Sequence, residues 1–128
     1  MKRRARLLLD THVFLWWRVN DRRLRKEARQ AIADAEIVFV SAATAWEIAI
    51  KIALGRLRIP EPVEAGVKKS GFEKLPIDFA HAESAARLPP HHADPFDRML
   101  VAQAREEGLV LVTGDRRIGL YDVDVVWT

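Results

Sequence analysis

Four carboxylates carry the chemistry this sequence offers: Asp10, Glu47, Asp97 and Asp115. Acids brought within reach of one another repel, and they stay ionised together only when cations sit between them. Hard cations such as Mg²⁺ and Mn²⁺ prefer oxygen ligands and keep several waters. A site of that kind activates water and stabilises the leaving oxygen of a phosphodiester, with one metal or with two about 4 Å apart. It needs no covalent enzyme intermediate.

Each acid also has a plainer reading. Asp10 is a possible turn residue at a strand end, and Asp115, in Thr113-Gly114-Asp115, a possible turn acid. Glu47 and Lys51 have the spacing of an ordinary i,i+4 ion pair. On a helical wheel Trp46, Ile50, Ala53 and Leu57 form a buried stripe, with Glu47 bordering it on the side of Leu54. Ile48 and Ile52 fall on the opposite face, so that helix is buried on two sides or meets a partner there. Asp94-Pro95-Phe96-Asp97 reads as a helix start, with Asp94 as cap and Asp97 favouring the helix dipole.

The elements that must position these acids alternate. Strands are predicted at residues 6–9, 37–40, 72–75, 109–112 and 123–127. An apolar helical stretch covers residues 13–17, and Asp21 is expected to cap a second helix reaching about Ala35. Ser41 caps a helix over residues 42–54, closed by Gly55. Pro62 opens a helix to about Lys69. Asp78 caps a helix to about Leu88, and Asp94 one to about Glu107, ended by Gly108. Such alternation predicts a single α/β domain over residues 1–128, with a parallel sheet covered on both faces. The ligand site of such a sheet lies at the carboxyl ends of its strands. All four acids fall at that edge, and this joint placement outweighs the four separate plain readings.

The totals set limits. The chain has 128 residues, 49% of them hydrophobic, which suffices for a core without a metal or disulfide staple. It has no cysteine, which excludes thiolate zinc sites and cysteine nucleophiles. The N-terminal MKRRARLLLD starts like a signal peptide, but Asp10 ends the apolar run after Leu9. A cytoplasmic protein without a membrane segment is expected. Net charge is +3, with clusters at Lys2, Arg3, Arg4 and Arg6 and at Arg18, Arg22, Arg23, Arg25, Lys26 and Arg29. Such clusters can draw phosphate backbones close, but from charge alone the first reading is a solvated helix face. His91 and His92 read as loop histidines, with His92 near enough to Asp94 to line the mouth of the site. His12 and His81 read as structural or exposed. Thr11, Ser41 and Thr113 lie beside the acids, where caps and turns are the first reading and support of a carboxylate the second.

The segments LLLDTHVFLWW (residues 7–17), SAATAWEIAIKIALGRL (41–57), LPPHHADPFDRMLVAQA (88–104) and LVTGDRRIGLY (111–121) together resemble a PIN domain. More narrowly, they resemble the VapC toxins of type II toxin–antitoxin pairs. The resemblance implies a three-layer α/β/α sandwich with a central parallel sheet and a site for Mg²⁺ or Mn²⁺. It implies endonucleolytic cleavage of RNA by water, leaving a 5′-phosphate and a 3′-hydroxyl. The family's acids carry over to Asp10, Glu47, Asp97 and Asp115 as metal-holding and catalytic groups. Asp97 is preferred to Asp94 because it begins the Asp-x-x-Leu-x-Ala pattern. Also implied are a homodimer and a cognate VapB-like antitoxin. Arg98 and Arg116 are candidates for neutralising phosphate.

Two other readings compete. A non-catalytic RNA- or partner-binding domain on the same fold predicts tight binding without turnover. A phospho-acceptor receiver domain needs an acidic pair after the first strand and a late lysine. Asp10 is followed by Thr11, and no lysine follows Lys74.

Overall fold

The computed structural model describes residues 4–128. Lys2 and Arg3 of the first basic cluster lie outside the described residues. In chain order the elements are β1 (Arg6–Leu9), α1 (Thr11–Val19), α2 (Lys26–Asp34), β2 (Ile37–Ser41), α3 (Ala42–Ala53), α4 (Val63–Lys69), β3 (Glu73–Leu75), α5 (Phe79–Arg87), α6 (Pro95–Glu107), β4 (Val110–Thr113) and β5 (Val125–Trp127). A short 3₁₀ turn, Ile118–Leu120, precedes β5. β5 is shorter than the expected residues 123–127, starting only at Val125.

All five strands pair in parallel, in the order β3-β2-β1-β4-β5. The central strand shows why. Leu7 and Leu9 face one core, with Val13, Phe14, Ala28, Ile32 and Val67. Leu8 faces the other, with Leu100, Val101, Ala104, Leu111 and Ile118. A strand buried on both faces must be apolar at every position, and each such leucine contributes about 1.5–3 kcal/mol of burial. The two cores separate the helices into layers either side of the sheet, which is the three-layer sandwich expected. The chain runs outward from β1 through β2 to β3, then crosses back to lay β4 on the other side of β1. A crevice opens where the direction of winding reverses.

Gly108 closes α6 at φ 64°, and Gly55 follows α3 at φ 71°, a region that other residues enter only with strain. Ser41, Asp78 and Asp94 cap α3, α5 and α6 as the sequence indicates. Asp21 does not cap α2. Its carbonyl accepts from Leu24 at 3.1 Å in a preceding turn, and its carboxylate takes the backbone and guanidinium of Arg23. The helix starts later, at Lys26, with no side-chain cap.

The face of α3 is also corrected. The buried residues are Ala43, Thr44, Glu47 and Ile48, with Ile48 0% exposed. Trp46 is 62% exposed and stacks edge-on against Phe96 at 5.3 Å. Hydrophobicity placed the stripe on Trp46, Ile50, Ala53 and Leu57. The helix instead turns Ala43, Thr44, Glu47 and Ile48 inward, where it packs on α1 and α6.

Candidate active site

Asp10 ends β1 and begins α1. Its N–H donates to the Val112 carbonyl at 3.0 Å, extending the pairing with β4. Its Oδ1 accepts from the Val13 N–H at 2.9 Å, capping α1, and its Oδ2 accepts from the Thr113 hydroxyl. Burial raises the pKa of this carboxyl and outweighs the lowering by those two hydrogen bonds.

Glu47 reaches the same crevice from the second turn of α3. Its Oε1 accepts from the Thr11 hydroxyl at 2.7 Å, and its Oε2 lies 2.9 Å from Lys51 Nζ. Thr44 supports Thr11 at 3.1 Å.

Asp97 stands in the first turn of α6. The turn is held by Asp94, whose Oδ1 accepts from the N–H groups of Phe96 and Asp97 at 2.8 and 3.1 Å. Asp97 Oδ2 lies 3.1 Å from His92 Nε2. Burial, and then the charge of Asp94, push its pKa up to about 7. His92 lowers it, while Asp10 and Glu47 raise it further.

Asp115 follows β4 through Gly114, where a Cβ would stand 2.6 Å from Thr128 Oγ1. A larger residue there would displace the Thr128 side chain. The Asp115 carboxylate accepts from Arg117 N and Nε at 3.0 and 3.2 Å, from a further Arg117 nitrogen at 3.1 Å, and from His92 Nε2 at 2.8 Å. Burial pushes this carboxyl up, but the bonds from Arg117 and His92 together prevail and hold it at about 2.

The four acids line one cavity of about 400 Å³, with Asp94, His92, Lys51 and Arg117. The donor set fits a hard divalent cation: carboxylate oxygens, no sulfur, and an excess of acids over nearby bases. Three of the acids have close donors of their own. Asp97 has only His92 among the described side chains, and it is the acid pushed towards neutrality. A cation would relieve that penalty. A second group, Asp78, His81 and Glu107, also has metal-like spacing. There His81 Nδ1 accepts from the Asp78 N–H at 3.1 Å in a capping box, and Nε2 pairs with Glu107 at 2.8 Å. Both ring nitrogens are spent on the fold, so His81 is structural, as read from sequence.

Comparison with known proteins decides the family. The PIN domain family model matches residues 7–125. The chain belongs to the PIN domain family. It is 35% identical over 115 residues to Ribonuclease VapC22 of Mycobacterium tuberculosis, covering 88% of each protein. A crystal structure of VapBC2 from Rickettsia felis bound to a promoter DNA fragment superposes with a TM-score of 0.71 at 10% identity, covering 96% of this chain and 98% of the other. DNA-bound VapBC from Salmonella typhimurium gives 0.66 at 20% identity, covering 96% and 98%.

Within this PIN domain the basic residues differ from those expected. Arg98 does not face the cavity. Its guanidinium donates to the carbonyls of Ala85, Leu88, Pro89 and His92. Arg116 lies over the Trp127 ring at 4.3 Å. Lys51 and Arg117 line the cavity instead. His92, read as a loop histidine at the mouth, is buried between two of the acids. Spacing gives no sign of this, because the ring reaches its partners through a loop turn rather than a helix face. Thr11 and Thr113 support carboxylates, whereas Ser41 is a cap that also donates to Gln103 Oε1 at 2.6 Å.

A second, more apolar groove of about 390 Å³ adjoins the acid cavity and shares His12 and Lys51 with it. Phe14, Leu15, Trp16, Leu57 and Ile59 line it, and Arg23, Arg56 and Arg58 stand among them.

Proposed function

We propose that this PIN domain is a metal-dependent endoribonuclease, the toxin of a type II toxin–antitoxin pair, with Asp10, Glu47, Asp97 and Asp115 as its metal-holding and catalytic acids. One observation carries the reading: four acids from four separate elements meet in one cavity, and the least supported of them, Asp97, has its pKa pushed up to about 7. The name of the M. tuberculosis relative, Ribonuclease VapC22, supports the substrate class.

Mg²⁺ or Mn²⁺ is the ion the oxygen donors suit, and when bound it supplies charge neutralisation and a water activated for attack on phosphorus. The chain's own residues do the rest. Asp10 is fixed in place by Thr113 and Val13, so it presents its carboxylate without reorganising. Glu47 is oriented by Thr11, which leaves it placed to hold the ion or to align the attacking water. Lys51 and Arg117 give the cavity positive edges that draw in a phosphodiester and neutralise its charge.

The partners follow from the resemblance and from surfaces that suit them. VapB-like antitoxins accompany the structural relatives. An amphipathic acidic segment fits an apolar groove with basic residues, and one lying there would also obstruct the acid cavity beside it. Exposed Trp46, Leu54 and Phe79 offer apolar area for a second copy of the chain. No helix of the described residues is long and apolar enough to cross a membrane.

The test is cleavage-site mapping of total RNA after induction of wild type and Asp97→Asn, with chelation and Mg²⁺ or Mn²⁺ add-back on purified protein. Discrete cuts bearing 5′-phosphates, lost in the folded variant and on chelation, are expected. Tight RNA binding with no turnover would establish the non-catalytic reading instead.

A further inference from the structure

We infer that His92 is a positioning residue of the acid cavity and that Arg98 holds it there. The inference rests on the metal-site reading above and adds a component to it.

The ring is 5% exposed overall, and each nitrogen has a defined role. Nδ1 accepts from the Asp94 N–H at 3.1 Å, so in the neutral ring the proton is on Nε2. That one N–H points between Asp115 Oδ2 at 2.8 Å and Asp97 Oδ2 at 3.1 Å. A protonated nitrogen cannot ligate a metal. Instead it sets the spacing and rotation of two acids that arrive on unrelated elements, α6 and the turn after β4. The same histidine is tied through Nδ1 to the cap residue of α6, so the helix start and the Asp115 turn are registered on one ring.

The loop carrying His92 has no regular structure of its own, and its placement comes from Arg98 one turn into α6. The guanidinium donates to Leu88 and Pro89 at 3.0 Å each and to Ala85 at 2.9 Å, with weaker contacts at 3.4 Å to the His92 carbonyl and the Tyr121 hydroxyl. Tyr121 Oη in turn accepts from the His92 N–H at 2.9 Å. A planar fork with five donors can span those carbonyls, and a lysine ammonium cannot. Groups that orient metal ligands from behind usually affect ion affinity by about 10–100-fold.

The experiment titrates Mn²⁺ by electron paramagnetic resonance into the full chain, alongside a thermal melt of each metal-free variant. His92→Ala should weaken Mn²⁺ binding at least ~10-fold. His92→Gln, whose amide keeps an N–H at similar reach, should recover most of that loss. Arg98→Lys should weaken binding in the same direction, and in the double variant with His92→Ala it should add little. Wild-type affinity in a folded His92→Ala, no recovery in His92→Gln, or fully additive losses would each overturn the inference. Asp97→Asn separates the two levels. Binding lost there but intact in His92→Ala removes the role of His92 alone. Binding intact in both removes the metal reading itself.

Discussion

Thr11, the first residue of α1, donates its hydroxyl hydrogen to Glu47 Oε1 at 2.7 Å, joining two helices across 36 positions of sequence. Both side chains are buried, and Thr44 completes the contact. Thr11→Val keeps the shape and removes the donor. The loss of a hydrogen bond to a buried carboxylate should cost about 1–3 kcal/mol of stability. Cleavage of RNA should fall roughly tenfold through misorientation of Glu47, a loss of about 1.4 kcal/mol in transition-state stabilisation. Chemical denaturation and single-turnover kinetics measure the two effects separately. Unchanged kinetics in the valine variant would remove Thr11 from the site.

The acid cavity should make the metal-free protein less stable in mild base than in mild acid. Asp97 sits at about 7 in the folded protein against an ordinary 3.8. A carboxyl with a raised folded value binds its proton more tightly when folded. Its contribution to stability is therefore complete below about 3.8 and is lost as pH rises through about 7. Asp10 is shifted in the same direction. Asp115 has the opposite sign, but its contribution is lost only as pH falls from about 3.8 to about 2. Melting in chelator should move to lower temperature between pH 5 and pH 8, and Mg²⁺ should reverse the fall at pH 8. A flat or rising profile in chelator would contradict the raised pKa of Asp97.

Gly114→Ala tests the close approach behind Asp115. The added Cβ meets Thr128 Oγ1 at 2.6 Å, so the Thr128 side chain must rotate or the strand ends must separate. Overpacking that moves the backbone costs about 1–3 kcal/mol, and a rotated Thr128 side chain less. Thr128→Gly in the same chain removes the obstruction and should restore both stability and cleavage. Failure of that second change to rescue would place the constraint elsewhere.

Two substitutions distinguish the faces of α3. Ile48→Ala removes a side chain with 0% exposure and should cost about 2–5 kcal/mol, the range for a large-to-small change in a core. Trp46→Ala, at an exposed site, should cost less than ~1 kcal/mol in the isolated chain. Sedimentation of Trp46→Ala then reports whether a second copy covers that face.

The sheet and its helices were legible because β1, β2 and β4 each carry a short apolar run, Leu7–Leu9, Ile37–Val40 and Val110–Val112, and because Ser41, Asp78, Asp94 and Gly108 mark ends with their own side chains or their own lack of one. The four acids were legible for a related reason. In a parallel sheet, position along the chain fixes the edge on which a residue emerges, and Asp10 and Asp115 follow paired strands. The inward face of α3 was not legible. Hydrophobicity favours Trp46 inside, yet the helix packs through Ala43, Thr44 and Ile48 to bring Glu47 to the cavity. Nor was the role of His92, which depends on a loop path set by Arg98, ten or fewer residues from the carbonyls of Leu88 and Pro89 but tied to Tyr121 at a distance in sequence. A guanidinium that binds carbonyls and one that binds phosphate look the same in a sequence.

The central place of β1 in the sheet has a consequence for the timing of synthesis. Asp10 leaves the ribosome early, but its hydroxyl partner Thr113 lies 103 positions later, and β4 must pair beside β1 before the two meet. Every shorter nascent chain lacks one wall of the cavity. A chain that stops short of β4 therefore holds Asp10 without its Thr113 partner and lacks Asp115 altogether.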